Sequence, residues 1–289
     1  MGVFAALIAA LGWAIATRIY RFMGSLWSPL ALTCIKSGVA SVMFALWIHF
    51  AGGSFSTDSL APVLWLVLSG AIGIGLGDTA LFRALMQMGE SRSLMIAETL
   101  APAFVVIAAW FFLNEQLSLR QILGMVVVVA AVDMVVGLRR SSGGNALNRI
   151  GIGWATLSAL CQAIGVIISR ATFNSTDISA ETSALWRLIG GLGIVVVLMA
   201  VSRVSLIPKS KPSGRQYGLL LCAIVLGTFV ALWGLQLAIK LLPAGIAQTL
   251  LVTCALMAAM IAALKGERLR PVQWFGLLLG LPGVALVVM

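Results

Sequence analysis

The sequence is poor in the groups that carry out chemistry in solution. It has one histidine (His49) and two tyrosines, and charged residues make up only 10% of its 289 positions. Its four cysteines, Cys34, Cys161, Cys222 and Cys254, lie inside apolar runs without paired spacing. They read as small buried hydrophobes, which excludes a disulfide framework and a thiolate metal site. No HExxH and no cluster with metal-ligand spacing occurs. Gly73-Ile-Gly75-Leu-Gly77 looks superficially like a nucleotide loop, but it sits in an apolar span and lacks the following Lys-Ser/Thr. Small residues at that spacing suit close helix packing, as do Gly276 and Gly280, where a dimer contact is a second use. No catalytic residue, metal or cofactor is expected.

Apolar residues fill the space that charge leaves. They make up 61% of the chain, and the mean hydropathy is +1.08. A soluble domain averages about 45–50% apolar and about 25% charged, and its surface must be polar enough to face water. A cytosolic enzyme, a secreted scaffold, a disordered chain and a collagen-like fibre are therefore excluded, and the chain's solvent is the lipid bilayer. The net charge of +10 would suggest nucleic acid in a soluble protein. Here it reflects basic residues that flank helices and face anionic lipid, so no nucleic-acid partner is expected.

Six stretches carry no charge: Met1–Thr17, Ser59–Gly77, Ile150–Ser169, Gln216–Ile239, Leu241–Leu264 and Pro271–Met289. Four more, 29–50, 91–113, 119–138 and 181–202, carry isolated charges. A helix crosses the hydrocarbon core with about 20 residues, so ten spans use roughly 200 and leave no room for a soluble domain. The first run lacks a basic leader and is followed by Arg18 and Arg21, so it reads as a retained helix, not a signal peptide. The polar, basic stretch 139–149 divides the chain into five-helix units, 1–138 and 150–289.

The two units repeat. Glu115, Leu117, Gln121 and Gly124 recur as Glu267, Leu269, Gln273 and Gly276, displaced by 152; Ala10-Leu11, Ala14-Ile15 and Arg21 recur as Ala159-Leu160, Ala163-Ile164 and Arg170, displaced by 149. Lys36 falls opposite Arg187 at a displacement of 151. Five helices is an odd number, so the second unit enters the membrane from the other side. The expected fold is an all-α membrane protein of ten transmembrane helices in two inverted five-helix repeats, the architecture of secondary transporters with a site between the halves.

At these residues the sequence resembles the drug/metabolite transporter superfamily. The resemblance rests on Gly12-Trp13 in the first helix, Ala84-Leu85 closing the third, Pro102 in the fourth and the Asn114-Glu115-Gln-Leu117 turn. Gly266-Glu267-Arg-Leu269 and Gly276…Gly283 point to its EamA-type branch. The resemblance implies a ten-helix carrier of small metabolites, often amino acids, with helices five and ten peripheral and both termini inside.

The charges argue for the other orientation. Arg18 and Arg21; Arg83 and Arg92; Arg139, Arg140 and Arg149; Arg203, Lys209, Lys211 and Arg215; and Lys265, Arg268 and Arg270 follow helices 1, 3, 5, 7 and 9. The alternate loops hold only Arg120, Arg170 and Lys240, together with Asp58, Glu115, Asp177 and Glu181. By the positive-inside rule the basic loops are cytoplasmic and both termini extracytoplasmic, in a cell (inner) membrane.

Charges inside spans mark the candidate site, because an ionised group at mid-bilayer costs about 2.5–3.5 kcal/mol unless it faces a cavity or a partner. They are Lys36, Asp78, Glu98, Asp133 and Arg187. Helix rise places Lys36, Asp78 and Glu98 in one layer, roughly 10–13 Å deep. The predicted substrate site comprises Trp13, Lys36, Asp78, Gln162, Arg187, Trp233 and Gln236, with Trp13, Trp233 and Gln236 completing the cavity. Pro102 lacks the N–H that would bond the carbonyl of Glu98, so Glu98 and Pro102 are the candidates for proton or ion coupling. Snorkelling to the interface is the alternative for Lys36 and Arg187, and the expectation for Arg83 and Lys240. Asp133 is expected to pair with Arg139 or Arg140. Glu115 and Glu267 read as turn residues, beside a Ser118…Gln121 capping box and Pro271 at a helix start.

The function expected is secondary transport, as monomer or homodimer, of a small polar metabolite by alternating access. An amino acid or similar zwitterion, moved outward with a proton as the candidate coupled ion, leads. A sugar-phosphate or nucleotide-sugar carrier, with Lys36 and Arg187 on the phosphate, is the alternative. A scaffold or intramembrane enzyme is the reading from another class.

Overall fold

The computed structural model describes residues 1–53, 59–88, 90–137, 149–264, 266 and 269–289. The 139–149 linker falls largely outside them, as do Asp58 and Glu267. Among the described residues all regular structure is helical. Ten segments are long and apolar enough to cross a membrane. They are α1 (Gly2–Met23), α2 (Pro29–Phe50), α3 (Leu60–Met88), α4 (Glu90–Leu113), α5 (Leu119–Gly137), α6 (Arg149–Ser175), α7 (Ala180–Ser202), α8 (Gly214–Leu241), α9 (Ala244–Leu264) and α10 (Pro271–Val288). Helices answer the lack of water in hydrocarbon, since each satisfies its own backbone groups. Their starts are capped where the sequence changes from polar to apolar. The Ser28 hydroxyl accepts from the N–H of Ala31 at 3.2 Å, Ser179 from Thr182 at 3.3 Å, and Ser118 and Gln121 bond reciprocally ahead of α5. Pro271 opens α10, as expected.

Several helices outrun the charge-free stretches. Arg18 lies within α1, Arg83 within α3 and Arg170 within α6. A basic side chain does not end a helix when it has somewhere to go: Arg83 lies over the Trp154 ring at 4.6 Å.

The first helix of each half packs between helices of the other half. α1 lies against α8 and α9, and α6 lies against α3 and α4. The second helices, α2 and α7, pair with each other, and so do the fifth helices, α5 and α10. Small residues permit these approaches. Ala5, Ala6, Ala9, Ala10, Ala14 and Ala16 of α1 are all buried. A Cβ on Gly12 would strike the Leu226 carbonyl, and one on Gly234 the Ala5 carbonyl. The glycines of α10 pack within the molecule: Gly276 faces Ala131 and Gly283 faces Val128, both on α5. Large apolar side chains such as Trp65, Phe111, Phe112 and Leu278 point outward.

Both third helices change pitch near their middle. Ala71–Leu76 in α3 and Val225–Val230 in α8 are π-helical. The charge pattern gives no sign of this; Gly73, Gly75 and Gly227 are the sequence signals, and wide turns of this kind recur at functional sites. Gly73-Ile-Gly75-Leu-Gly77 is thus a packing element. Gly75 abuts Ile194 of α7 and Gly77 abuts Cys161 of α6.

Candidate functional site

The two π segments flank a cavity of about 550 Å³ between the halves, within the range of small-ligand sites. Its lining extends to Gly24, Pro29, Met86 and Leu94, toward the face where α1 meets α2 and α3 meets α4. Arg187 and Leu188 of α7 also line it. Trp13, Tyr20, Lys36, Asp78, Glu98 and Gln162 line it in between. Lys36 and Arg187 therefore point inward and do not snorkel.

Arg187 is 1% exposed. The chain carries it there on a helix crossing with no room for side chains: a Cβ on Gly70 would overlap the Arg187 backbone, and one on Gly190 would overlap that of Val67. Gly73 and Gly165 make way for the guanidinium, since a Cβ on either would come within 3.3 Å of Nη2. Nη1 donates to Ser169 Oγ at 2.9 Å and to Gln236 Oε1 at 2.9 Å. Ser169 also bonds Ser69 Oγ at 2.9 Å, and Gln236 Nε2 donates to Ser183 Oγ. Nε is buried without a hydrogen-bond partner among the described residues, and no carboxylate among them stands within ion-pair reach. A buried guanidinium without a carboxylate partner can take an anionic group, because an unpaired charge is expensive to leave in a membrane.

Lys36 is placed differently. Its Nζ lies 3.3 Å from Asp78 Oδ2, a partly exposed ion pair, and 5.8 Å from the Tyr20 ring. Tyr20 in turn donates to the Ala223 carbonyl at 3.0 Å and bonds Thr228 Oγ1 at 2.9 Å, at the π segment of α8. Glu98 reaches the cavity from α4, beside Thr99, whose hydroxyl donates to Asp133 Oδ1 at 2.7 Å.

Three expectations need correction. Trp233 does not line the cavity; it packs on Trp47, with ring centroids 5.8 Å apart, because its position on α8 faces α2. Gln236 is fully buried outside the lining, and its amide is spent holding Arg187. Pro102 is buried inside a continuous α4, away from the lining. Asp133 pairs with Thr99, while Arg139 and Arg140 lie outside the described residues.

The opposite face carries a polar knot that sequence reasoning missed, because it read Glu115 as a turn residue and Arg170 as a loop charge. Asn114, in the left-handed region at φ 52°, ends α4 and turns Glu115 inward. Glu115 Oε1 accepts from Arg170 Nε at 2.6 Å and Oε2 from the Ala244 N–H at 2.7 Å. Arg170 Nη1 donates to the Ile239 and Lys240 carbonyls at 2.8 and 2.9 Å. Lys240 does not snorkel; it donates to the Ile178 carbonyl at 2.8 Å. One carboxylate thus ties α4, α6, α8 and α9 together.

Ten apolar helices around a largely apolar cavity that holds four charged side chains among its described lining fit a multi-pass membrane transporter. The sequence profile of the EamA-like transporter family matches residues 1–137 and again 149–289. The chain belongs to the EamA-like transporter family. A curated relative, an uncharacterized transporter of Archaeoglobus fulgidus, is 22% identical over 127 residues, which is 43% of this chain and 43% of that protein. A crystal structure of a protein with 16% identity superposes with a TM-score of 0.82, covering 99% of this chain and 95% of the other, and shares the fold.

Proposed function

We propose that this protein exports a small zwitterion, an amino acid or a close relative, by alternating access across the inner membrane. The observation that carries the reading is Arg187, a buried guanidinium with no carboxylate partner among the described residues, lining a cavity that also presents the Glu98 carboxylate. Arg187 takes the substrate carboxylate and Glu98 its ammonium, each a charge-assisted bond. Trp13 and Gln162 contribute an aromatic face and an amide. With both termini outside, as the basic loops argue, the open mouth faces the cytoplasm and the conformation is the loading state of an exporter. The two halves are read as inverted repeats, so the knot at Glu115 parts when the mouth closes. Glu98 is the proton-coupling group.

Proteoliposomes test this with uptake and efflux of radiolabelled amino acids, nucleosides and sugar phosphates. Saturable movement of amino acids is the expected result. Movement of phosphates in preference to amino acids, or of nothing under any gradient, overturns it.

A further inference from the structure

The two cations in the cavity occupy matching places, yet their partners differ. Lys36 on α2 and Arg187 on α7 are repeat-related, and each bonds a residue of the third helix of its own half: Asp78 on α3 at 3.3 Å and Gln236 on α8 at 2.9 Å. Asp78 cancels the charge of its lysine. Gln236 orients its arginine without cancelling anything, since an amide oxygen accepts the bond but carries no charge. Resting on the reading of this cavity as a zwitterion site, we propose that Asp78 and Gln236 set the substrate's charge. Asp78 withholds Lys36 and so excludes substrates with a second anionic group, and Gln236 keeps Arg187 available for one carboxylate.

The charge count follows from the lining. Lys36 and Asp78 sum to zero, and Arg187 and Glu98 remain. A ligand with one carboxylate and one ammonium neutralises both. A dicarboxylate or a phosphate ester brings a second negative charge that meets Asp78 and Glu98 with no free cation among the described lining residues. Like-charge opposition of this kind is how a site rejects the wrong partner. Gln236 acts through Arg187 and is a positioning residue; Asp78 faces the ligand.

The test is counterflow in proteoliposomes with labelled alanine, leucine, glutamate, succinate and inorganic phosphate, comparing the parent with Asp78→Asn, Gln236→Glu and Gln236→Asn. The parent moves the neutral amino acids and not the other three. Asp78→Asn gains movement of succinate or phosphate, an outcome that misfolding does not produce. Gln236→Glu raises KM for alanine and leucine by about ten- to hundredfold, the worth of a bond to a charged group. Gln236→Asn, which restores an uncharged amide, falls between it and the parent. A parent that moves succinate as well as alanine, an Asp78→Asn that gains no dianion, or a Gln236→Glu with unchanged KM overturns the proposal while leaving transport of amino acids intact. A parent that moves none of the five overturns the zwitterion reading, and this inference falls with it.

Discussion

Two side chains carry most of the site. Arg187 has no carboxylate partner among the described residues, whereas the charge of Lys36 is met by Asp78. Arg187→Ala is therefore expected to raise KM for the transported amino acid by about ten- to hundredfold with insertion into the membrane unchanged. Lys36→Ala reduces transport less through affinity than through the stranded Asp78 carboxylate it leaves. Normal KM in Arg187→Ala, measured by counterflow, would remove the anchor from the account. Glu98→Gln is expected to abolish accumulation driven by a pH gradient and to leave downhill exchange with a raised KM, since glutamine keeps the shape but cycles no proton and gives the ammonium no charged partner. Accumulation at the parental level would pass the coupling role to Asp78. The titratable and basic residues of this site were legible in the sequence because charge inside an apolar run is costly enough to be noticed. The roles of Trp233 and Gln236 were not, since which face of α8 a residue presents depends on the helix that packs there.

Among the elements, α3 and α7 cross most closely, and the crossing places Arg187. Gly190→Leu should disrupt the fold outright, because its side chain would meet the Val67 backbone and not a movable side chain. Gly193→Ala on the same helix, where a Cβ meets nothing, serves as control. Thermal melts in detergent should show a drop for the first well beyond the 1–3 kcal/mol typical of overpacking and none for the second. The ten helices could be read from apolar length alone, which the bilayer dictates. Their ends could not: α1, α3 and α6 run on through Arg18, Arg83 and Arg170, because an arginine at a helix end finds a ring, a headgroup or a carboxylate without unwinding the backbone. The π segments were equally hidden, marked only by glycines that packing alone explains.

For the whole molecule, orientation is the first prediction. A reporter active only in the cytoplasm should be silent when fused after Met289 and active when inserted at Ser142; the reverse pattern would put both termini inside. Glu115→Gln should loosen the shut face. Ile178→Cys, buried beneath it, should then react with an impermeant thiol reagent faster than in the parent background. An equal rate would mean that Glu115 holds nothing closed. The pairing of α1 with α8 and α9, mirrored by α6 with α3 and α4, is the part of the architecture that no single stretch of sequence could announce, although the recurrence of Glu115 and Arg170 in the other half hinted at it. The knot around Glu115 also works as a clock. On the proposed alternating access, opening that face breaks a partly buried ion pair and the bonds to Ile239, Lys240 and Ala244. The lifetime of that cluster caps the number of molecules delivered per second, however tightly the cavity holds its cargo.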